Sequence, residues 1–329
     1  MQAIKAAFPP KTKTACFCYD FPMHVLLYYK YIDVPDPEGE TIKHRALAQS
    51  LDLRGRIYIS SEGINGTCSG TKEHIEQYKN ALNEHSLFSG IVFKESLSEG
   101  HPFKKLFVRI RPEVVTLRQA VSAKDAAPYI TPEELHAALE RNEDLVLIDM
   151  RNDYEAAIGR FKGAKTLTME NFRDLPKFLS ELEPFKHRKV ITYCTGGIRC
   201  ERASALLKLH GFTDVRQLEG GIVTYCEKFP DGHFEGSCFV FDDRMTLRFP
   251  GKLPQRYVSQ CGFCKVPCDR YLDCRYQPCH ALFLCCEKCE PTCEGYCKQH
   301  ALATTQQSQA AIKCCVASEK SPSCGCRPR

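Results

Sequence analysis

Apolar strands that alternate with helices between residues 128 and 231 limit the fold of this 329-residue chain more than any other feature. Residues 145–149, 189–194 and 215–218 read as the strands, and 201–210 as a helix close behind the second of them. Strands that are apolar along their whole length are typical of a sheet buried on both faces. The region is therefore predicted to be a parallel α/β domain with helices on both sides of its sheet.

The second strand leads into a loop that contains a cysteine, two glycines and an arginine. Ligands of such sheets bind at the carboxyl ends of the strands, where loop N–H groups and a helix N-terminus stabilise an anion. The same groups lower the pKa of a cysteine. We predict a reactive thiolate at Cys194; the alternative is a buried cysteine beside a plain turn. The predicted anion-stabilising residues are Thr195, Gly196, Gly197, Ile198 and Arg199.

Cys200, directly after this arginine, allows two interpretations. It can resolve an oxidised intermediate on Cys194 by forming a disulfide, or it can simply belong to the start of the helix.

The loop resembles the active-site loop of the rhodaneses, and the wider pattern of that family extends from about residue 128 to 230. Asp149 and Arg151, followed by Glu155, are similar to one family motif, and Gly220-Gly221 to another. The resemblance implies that Cys194 occupies the position of the persulfide-carrying cysteine. Four residues separate Cys194 from the loop arginine, whereas related dual-specificity phosphatases have five, so phosphatase chemistry is disfavoured.

The region before this domain, residues 16–120, shows the order β-α-β-β-α-β of a ferredoxin-like sandwich. Ile42, Leu47 and Leu51 are the predicted core positions of its first helix. The predicted strands are 24–32, 56–59, 64–68, 91–93 and 106–110, and the predicted helices are 41–51 and 72–85.

Three blocks, at residues 55–67, 103–109 and 236–244, flank the rhodanese-like region in an order that resembles the rhodanese-containing tRNA uridine hydroxylases. The resemblance implies oxygen-dependent formation of 5-hydroxyuridine at the wobble position of tRNA, with dioxygen as co-substrate and a reductant that the sequence does not identify. The anticodon loop of tRNA is then the expected partner, and no DNA partner is expected. A thiosulfate or persulfide sulfurtransferase and a non-catalytic RNA- or protein-binding adaptor are the alternatives.

Basic residues outnumber acidic residues six to three between residues 94 and 118, and Phe103 and Phe107 lie among them. Basic side chains contact phosphates and aromatic side chains stack on unpaired bases, but an ordinary solvated strand has the same composition. The candidate RNA-binding residues are Lys104, Lys105, Arg109 and Arg111.

Cysteine is concentrated near the end of the chain, with 14 of the 21 cysteines between Cys261 and Cys326. Residues 232–300 are predicted to form a zinc-binding module, because cysteine pairs two residues apart can grip one tetrahedral ion. Disulfides or free thiols are the alternative. One predicted tetrad is Cys261, Cys264, Cys274 and Cys279; the other is Cys286, Cys289, Cys297 and His300.

Residues 301–329 are predicted to be a mobile tail. The net charge of +5 permits an anionic partner but decides nothing by itself. The longest apolar runs fall short of the roughly 18 residues that a membrane span needs, so no membrane association is expected. Thiolate and metal chemistry without a visible export signal favours a reducing, cytoplasmic location.

Overall fold

A computed structural model describes residues 22–251 and 256–301 of the chain. Its N-terminal domain is one five-stranded sheet with two helices on one face. The elements are β1 (Met23–Tyr31), α1 (Pro37–Ser50), β2 (Arg54–Ser60), β3 (Gly63–Gly70), α2 (Lys72–Glu84), β4 (Lys94–Ser98) and β5 (Leu106–Ile110).

The strand order β4-β1-β3-β2-β5 confirms the ferredoxin-like sandwich. Neighbouring strands are antiparallel from β4 to β2, and β5 adds a fifth strand that runs parallel to β2. Alternate residues of β1 enter opposite sides of the sheet: Leu26 and Tyr28 belong to the core under the helices. Leu27 and Tyr29 lie on the other face, which is directed at the central domain.

Two local predictions for this domain were wrong. Residues 91–93 do not form a strand, because strand pairing begins only at Lys94, opposite Leu27 of β1. Ile91 is apolar because it packs into the core after α2. Ile42 is 64% exposed; α1 begins earlier than predicted, and its buried face instead contains Thr41, His44 and Ala48.

The central domain contains a four-stranded parallel sheet of order β6-β10-β9-β7. Short 3₁₀ segments lie at Ala123–Asp125, Phe172–Phe178 and Glu183–Phe185. Its other elements are β6 (Tyr129–Ile130), α3 (Pro132–Glu140), β7 (Val146–Asp149), α4 (Asp153–Ile158), β8 (Gly159–Phe161), α5 (Leu179–Leu182), β9 (Lys189–Tyr193), α6 (Ile198–Leu209), β10 (Asp214–Leu218) and α7 (Gly221–Lys228).

Successive residues of the central strands enter two cores, one on each face of the sheet. Ile148 and Val190 belong to the core that contains the inner side of α6. Leu147 and Ile191 belong to the core on the other face, together with Ile222 of α7. This arrangement confirms the parallel α/β domain and explains why its strands are apolar throughout.

The region after residue 231 packs against the central domain through short strands. β11 pairs with β8, β12 with β13, and β14 with β15. The Tyr271 hydroxyl donates to the carbonyl oxygen of Tyr154 at 3.0 Å, next to a small core of Ile158 and Phe239. The elements are β11 (Phe234–Gly236), β12 (Cys238–Phe239), β13 (Thr246–Leu247), β14 (Tyr271–Asp273), β15 (Leu282–Leu284) and α8 (Glu290–Cys293).

The predicted tail, residues 301–329, lies outside the described residues except for Ala301. In the described part of the chain, no helix combines the length and the apolar composition that spanning a bilayer requires.

Candidate active site and metal clusters

The cysteine loop curls tightly between β9 and α6, and two glycines allow this shape. Gly197 has a φ of +107°, and a Cβ there would lie 2.7 Å from the Tyr29 hydroxyl. A Cβ on Gly221, at the start of α7, would meet the carbonyl oxygens of Cys194 and Thr195 at 2.5 and 2.7 Å. These approaches explain both glycine motifs, because only a residue without a side chain fits either position.

The sulfur of Cys194 lies inside this curl and accepts a hydrogen bond from the Gly197 N–H at 3.1 Å. Burial by itself would raise the pKa of this thiol. A hydrogen bond from Cys200, the Arg199 guanidinium and the N–H groups of Arg199 and Gly197 outweigh it and lower the pKa to about 6. The loop is thus built to hold a thiolate near neutral pH.

Cys200 is buried next to this sulfur, and burial together with the neighbouring Cys194 raises the pKa of its thiol. Its thiol therefore stays protonated and donates the hydrogen bond to Cys194. Both cysteines are free thiols in the structure.

The guanidinium of Arg199 forms a two-pronged ion pair with Glu155, with both N–O distances at 2.7 Å. Glu155 is fully buried at the start of α4. A second buried pair, Arg151 with Asp149, has no exposed surface and fixes the end of β7 through carbonyl oxygens of residues 155 and 159. Glu155 therefore orients the loop arginine and offsets part of its charge, whereas Asp149 and Arg151 support the structure.

The N-terminal domain closes over the cysteine loop. Lys94 is only 7% exposed, and its ammonium donates to the carbonyl oxygen of Gly196 at 3.0 Å. The Tyr31 hydroxyl donates to the carbonyl oxygen of Ile198, and the Tyr29 hydroxyl to Glu201. The loop is thus held from the side of the ferredoxin-like sheet as well as by its own domain.

A cavity of about 460 Å³ lies between these two domains and the segment that follows the central domain. Cys194, Thr195 and Arg199 line it from the loop, Lys94 and Phe103 from the N-terminal domain, and Phe241 from the third region. Burial lowers the pKa of Lys94, and the neighbouring Cys194 counteracts this effect. The cavity therefore brings a thiolate, an ammonium group and aromatic rings together in a partly enclosed space.

The four predicted RNA-binding residues lie outside this cavity. Lys104, Lys105, Arg109 and Arg111 are all exposed, on or next to β5 at the edge of the N-terminal sheet. The Arg109 guanidinium lies 4.8 Å from the centre of the Phe107 ring, and that of Arg111 lies 5.1 Å from the Tyr58 ring. Tyr58 itself lines the cavity, so this cationic and aromatic edge continues to the cavity wall.

The metal-ligand candidates of the third region form two clusters, but the predicted grouping was wrong. Within each cluster, the ligand atoms all lie within 4.8 Å of one another. The first cluster consists of Cys261, Cys264, Cys286 and Cys289, and the second of Cys274, Cys279, Cys297 and His300. The ligand pairs thus alternate along the chain rather than following one another.

The hairpin of β14 and β15 explains this alternation. Its open end places Cys286, just after β15, beside Cys261 and Cys264, which precede β14. A hydrogen bond from the Gly262 N–H to the carbonyl oxygen of Leu284 holds these segments together. Its closed end carries Cys274 and Cys279. The last ligand pair, Cys297 and His300, follows α8 and returns to this end. The neighbouring His280 is exposed and belongs to neither cluster.

Sequence reasoning missed two residues that the fold brings to the cysteine loop from a distance. Lys94 was counted only as part of a basic segment, and Glu155 only as part of a motif. Their contacts link positions 102 and 44 residues apart in sequence. Glu155 was detectable from its motif, but no local pattern marks Lys94.

Comparison with known proteins agrees with this architecture. Family models match residues 23–114 ("UPF0176 acylphosphatase like domain"), residues 131–228 ("Rhodanese-like domain") and residues 235–327 ("Rhodanase C-terminal"). A solved rhodanese-like domain from Anabaena is 28% identical, covers 33% of this chain and 79% of its own, and has a TM-score of 0.29. The family-model matches and the cysteine loop define a rhodanese-containing protein with an acylphosphatase-like N-terminal domain.

Relatives over most of the chain define the family more narrowly. The tRNA uridine(34) hydroxylase of Shouchella clausii is 43% identical over 302 residues, which cover 85% of this chain and 92% of that protein. The protein of the same name from Bacillus thuringiensis is 44% identical over 276 residues, covering 82% and 86%. The chain belongs to the tRNA uridine(34) hydroxylase family, which confirms the resemblance drawn from the sequence.

Proposed function

We propose that this protein hydroxylates C5 of the wobble uridine of tRNA, with Cys194 as the catalytic residue. One observation carries the proposal: the thiolate-stabilising loop faces a partly enclosed cavity that the N-terminal domain completes. A sulfur carrier needs an open loop that accepts sulfur from a donor. An enzyme that acts on one base needs a pocket for an extruded nucleotide, which the single-stranded anticodon loop can supply.

In the proposed reaction, the Cys194 thiolate adds to C6 of the uracil, and the electron pair of the C5–C6 double bond moves toward C5 and O4. One atom of dioxygen enters at C5 and the other leaves as water. This stoichiometry requires two electrons and two protons, which we assign to an external thiol reductant that becomes a disulfide. Loss of the C5 proton and departure of the thiolate from C6 restore the double bond.

Lys94 and the loop N–H groups supply positive charge around the developing anion. The Lys94 ammonium is fixed by the Gly196 carbonyl and lies in the cavity wall with Cys194. Preorganised charges in a partly enclosed site stabilise an anionic transition state strongly. Arg199 also contributes, although its ion pair with Glu155 makes it chiefly a fixed part of the loop.

We assign the docking of the anticodon stem and loop to the edge of the N-terminal sheet. Arg109, Arg111 and the two lysines before β5 are exposed and can contact phosphates. Phe107, which is 37% exposed, offers a stacking surface beside Arg109. This edge leads to Tyr58 in the cavity wall, so a bound loop can reach Cys194.

We infer that each cysteine cluster binds one structural zinc ion. Four sulfur ligands, or three sulfurs and one imidazole, within 4.8 Å match the tetrahedral preference of zinc. Zinc would join the two ends of the β14–β15 hairpin to the segments around it. A tRNA substrate supports the cytoplasmic location that we propose for the protein.

The purified protein distinguishes this function from the sulfurtransferase alternative. Wild-type protein is incubated with tRNA transcript, dioxygen and a thiol, and separately with thiosulfate and cyanide. We expect 5-hydroxyuridine from the wild type and the Cys226→Ala control, which removes another buried cysteine of the central domain, and none from Cys194→Ala. Rapid thiocyanate release without tRNA hydroxylation would instead establish a sulfurtransferase.

A further inference from the structure

A third group of metal-ligating side chains lies on the central domain, away from the cavity and the cysteine clusters. His136 and Glu140 are four residues apart on α3, so they share one face of the helix. His233 lies between α7 and β11. One ligand atom from each of the three residues lies within 4.8 Å of the others, and none of the three lines the cavity.

The surroundings hold the His136 ring and the backbone of His233 in place. The hydroxyl of Tyr225, a buried residue of α7, lies 3.0 Å from Nδ1 of His136 and accepts the backbone N–H of His233 at 3.2 Å. The His136 ring stacks on Phe229 at 4.0 Å with only 6° between the ring planes. Metal-binding histidines typically have such a second partner on the other ring nitrogen, which fixes the ring and leaves one nitrogen for the ion.

The third ligand completes the set from the solvent side. Glu140 Oε1 lies 2.6 Å from Nε2 of His233, and the Glu140 side chain is 61% exposed. The backbone of His233 is also held on its carbonyl side, where it accepts the Lys162 N–H at 2.9 Å. Both histidine positions are therefore fixed by the fold, and the carboxylate is free to turn toward an ion.

We propose that His136, Glu140 and His233 bind one divalent transition-metal ion of the zinc class. Two imidazoles and one carboxylate favour such ions over magnesium or calcium, which prefer oxygen ligands throughout. The ion joins α3, the first helix of the central domain, to the segment that leads out of it. Because it binds the folded state, it stabilises that domain against unfolding.

Cobalt binding to the full-length protein tests the site independently of tRNA hydroxylation. Protein that holds one zinc ion in each cysteine cluster and no further zinc is dialysed against Co²⁺, and bound metals are counted by mass spectrometry. We expect one equivalent of cobalt, without a thiolate-to-cobalt charge-transfer band, and a higher melting temperature. His136→Ala and His233→Ala should each abolish the cobalt binding and the thermal shift, and Glu140→Gln should weaken binding about tenfold or more.

His187→Ala is the matched control, since it removes an exposed histidine elsewhere in the same domain. It should bind cobalt like the wild type. Absence of the extra equivalent in the wild type, or its retention in His136→Ala and His233→Ala that melt as folded proteins, would overturn the proposal.

Discussion

The ammonium group of Lys94, on the N-terminal sheet, donates to the carbonyl oxygen of Gly196 in the cysteine loop of the central domain. This contact makes the N-terminal domain a wall of the cavity rather than a separate module. It also places a cation next to the thiolate of Cys194 that the loop alone does not provide.

Replacement of Lys94 by methionine should reduce the rate of hydroxylation roughly 100-fold, as is typical when one preorganised anion-stabilising group is lost. Single-turnover rates measure the effect, and tRNA affinity should change much less. Lys94→Arg should retain part of the rate. The control is Lys72→Ala, which removes an exposed lysine of the same domain. An equal loss of rate in this control, or full activity of Lys94→Met, would contradict the assigned role.

The reaction of Cys194 with iodoacetamide should depend on pH in a way that an ordinary thiol does not. With the pKa lowered to about 6, the thiolate predominates above that pH and is lost by protonation below it. The alkylation rate should therefore rise through about pH 6 and level off by about pH 8, whereas the reactivity of an unperturbed thiol, with a pKa of about 8.5, keeps rising to about pH 10. Mass spectrometry of the Cys194 peptide measures the rate.

Substitutions in the Arg199–Glu155 pair should shift this profile in opposite directions. Arg199→Met removes a cation and leaves a carboxylate close by, so the pKa of Cys194 should rise. Glu155→Gln leaves the cation unopposed, so the pKa should fall. Each breaks a buried pair at a cost of about 3–5 kcal/mol, so folding is checked by circular dichroism. Shifts in the same direction would disprove the electrostatic account.

Arg202 of α6 connects the central domain to the N-terminal one through ion pairs with Glu62 at 2.7 Å and Glu113 at 2.8 Å. Its removal leaves partly buried carboxylates without their partner. Arg202→Ala should therefore lower the free energy of unfolding by about 3 kcal/mol in urea denaturation. Lys177→Ala, which breaks only an exposed pair with Asp174, should cost less than about 1 kcal/mol. Equal losses of unfolding free energy in Arg202→Ala and Lys177→Ala would mean that the domains are not joined through Arg202.

Zinc counting on double variants tests how the metal clusters are grouped. Cys264→Ser with Cys289→Ser changes a single cluster of the structure and should remove one zinc ion relative to the wild type. Cys264→Ser with Cys279→Ser changes both clusters and should remove two. Grouping in chain order predicts the reverse pattern, so the two variants together decide between the arrangements.

The sequence was sufficient for the features that depend on local patterns. Continuous apolar strands predicted the central sheet, and the strand, glycines and arginine around Cys194 predicted the thiolate loop. These features arise within about ten residues of one another, where backbone geometry and helix dipoles act directly.

Features that depend on packing between distant segments could not be predicted in this way. The Lys94–Gly196 contact requires the N-terminal sheet to dock on the loop, and residue spacing carries no information about docking. The grouping of cysteines depends on a short hairpin in which Cys286 returns to Cys261. Ile42 was misplaced because it lies five residues before Leu47 and so about 140° away from it around the helix. The buried face instead follows Thr41, His44 and Ala48.

The most direct test of the central claim is nucleoside mass spectrometry of tRNA from a strain that lacks the gene and carries it back on a plasmid. The wild-type and Cys226→Ala genes should restore 5-hydroxyuridine at position 34, and Cys194→Ala should leave unmodified uridine although the protein accumulates normally. Normal 5-hydroxyuridine in the strain with Cys194→Ala would contradict the account.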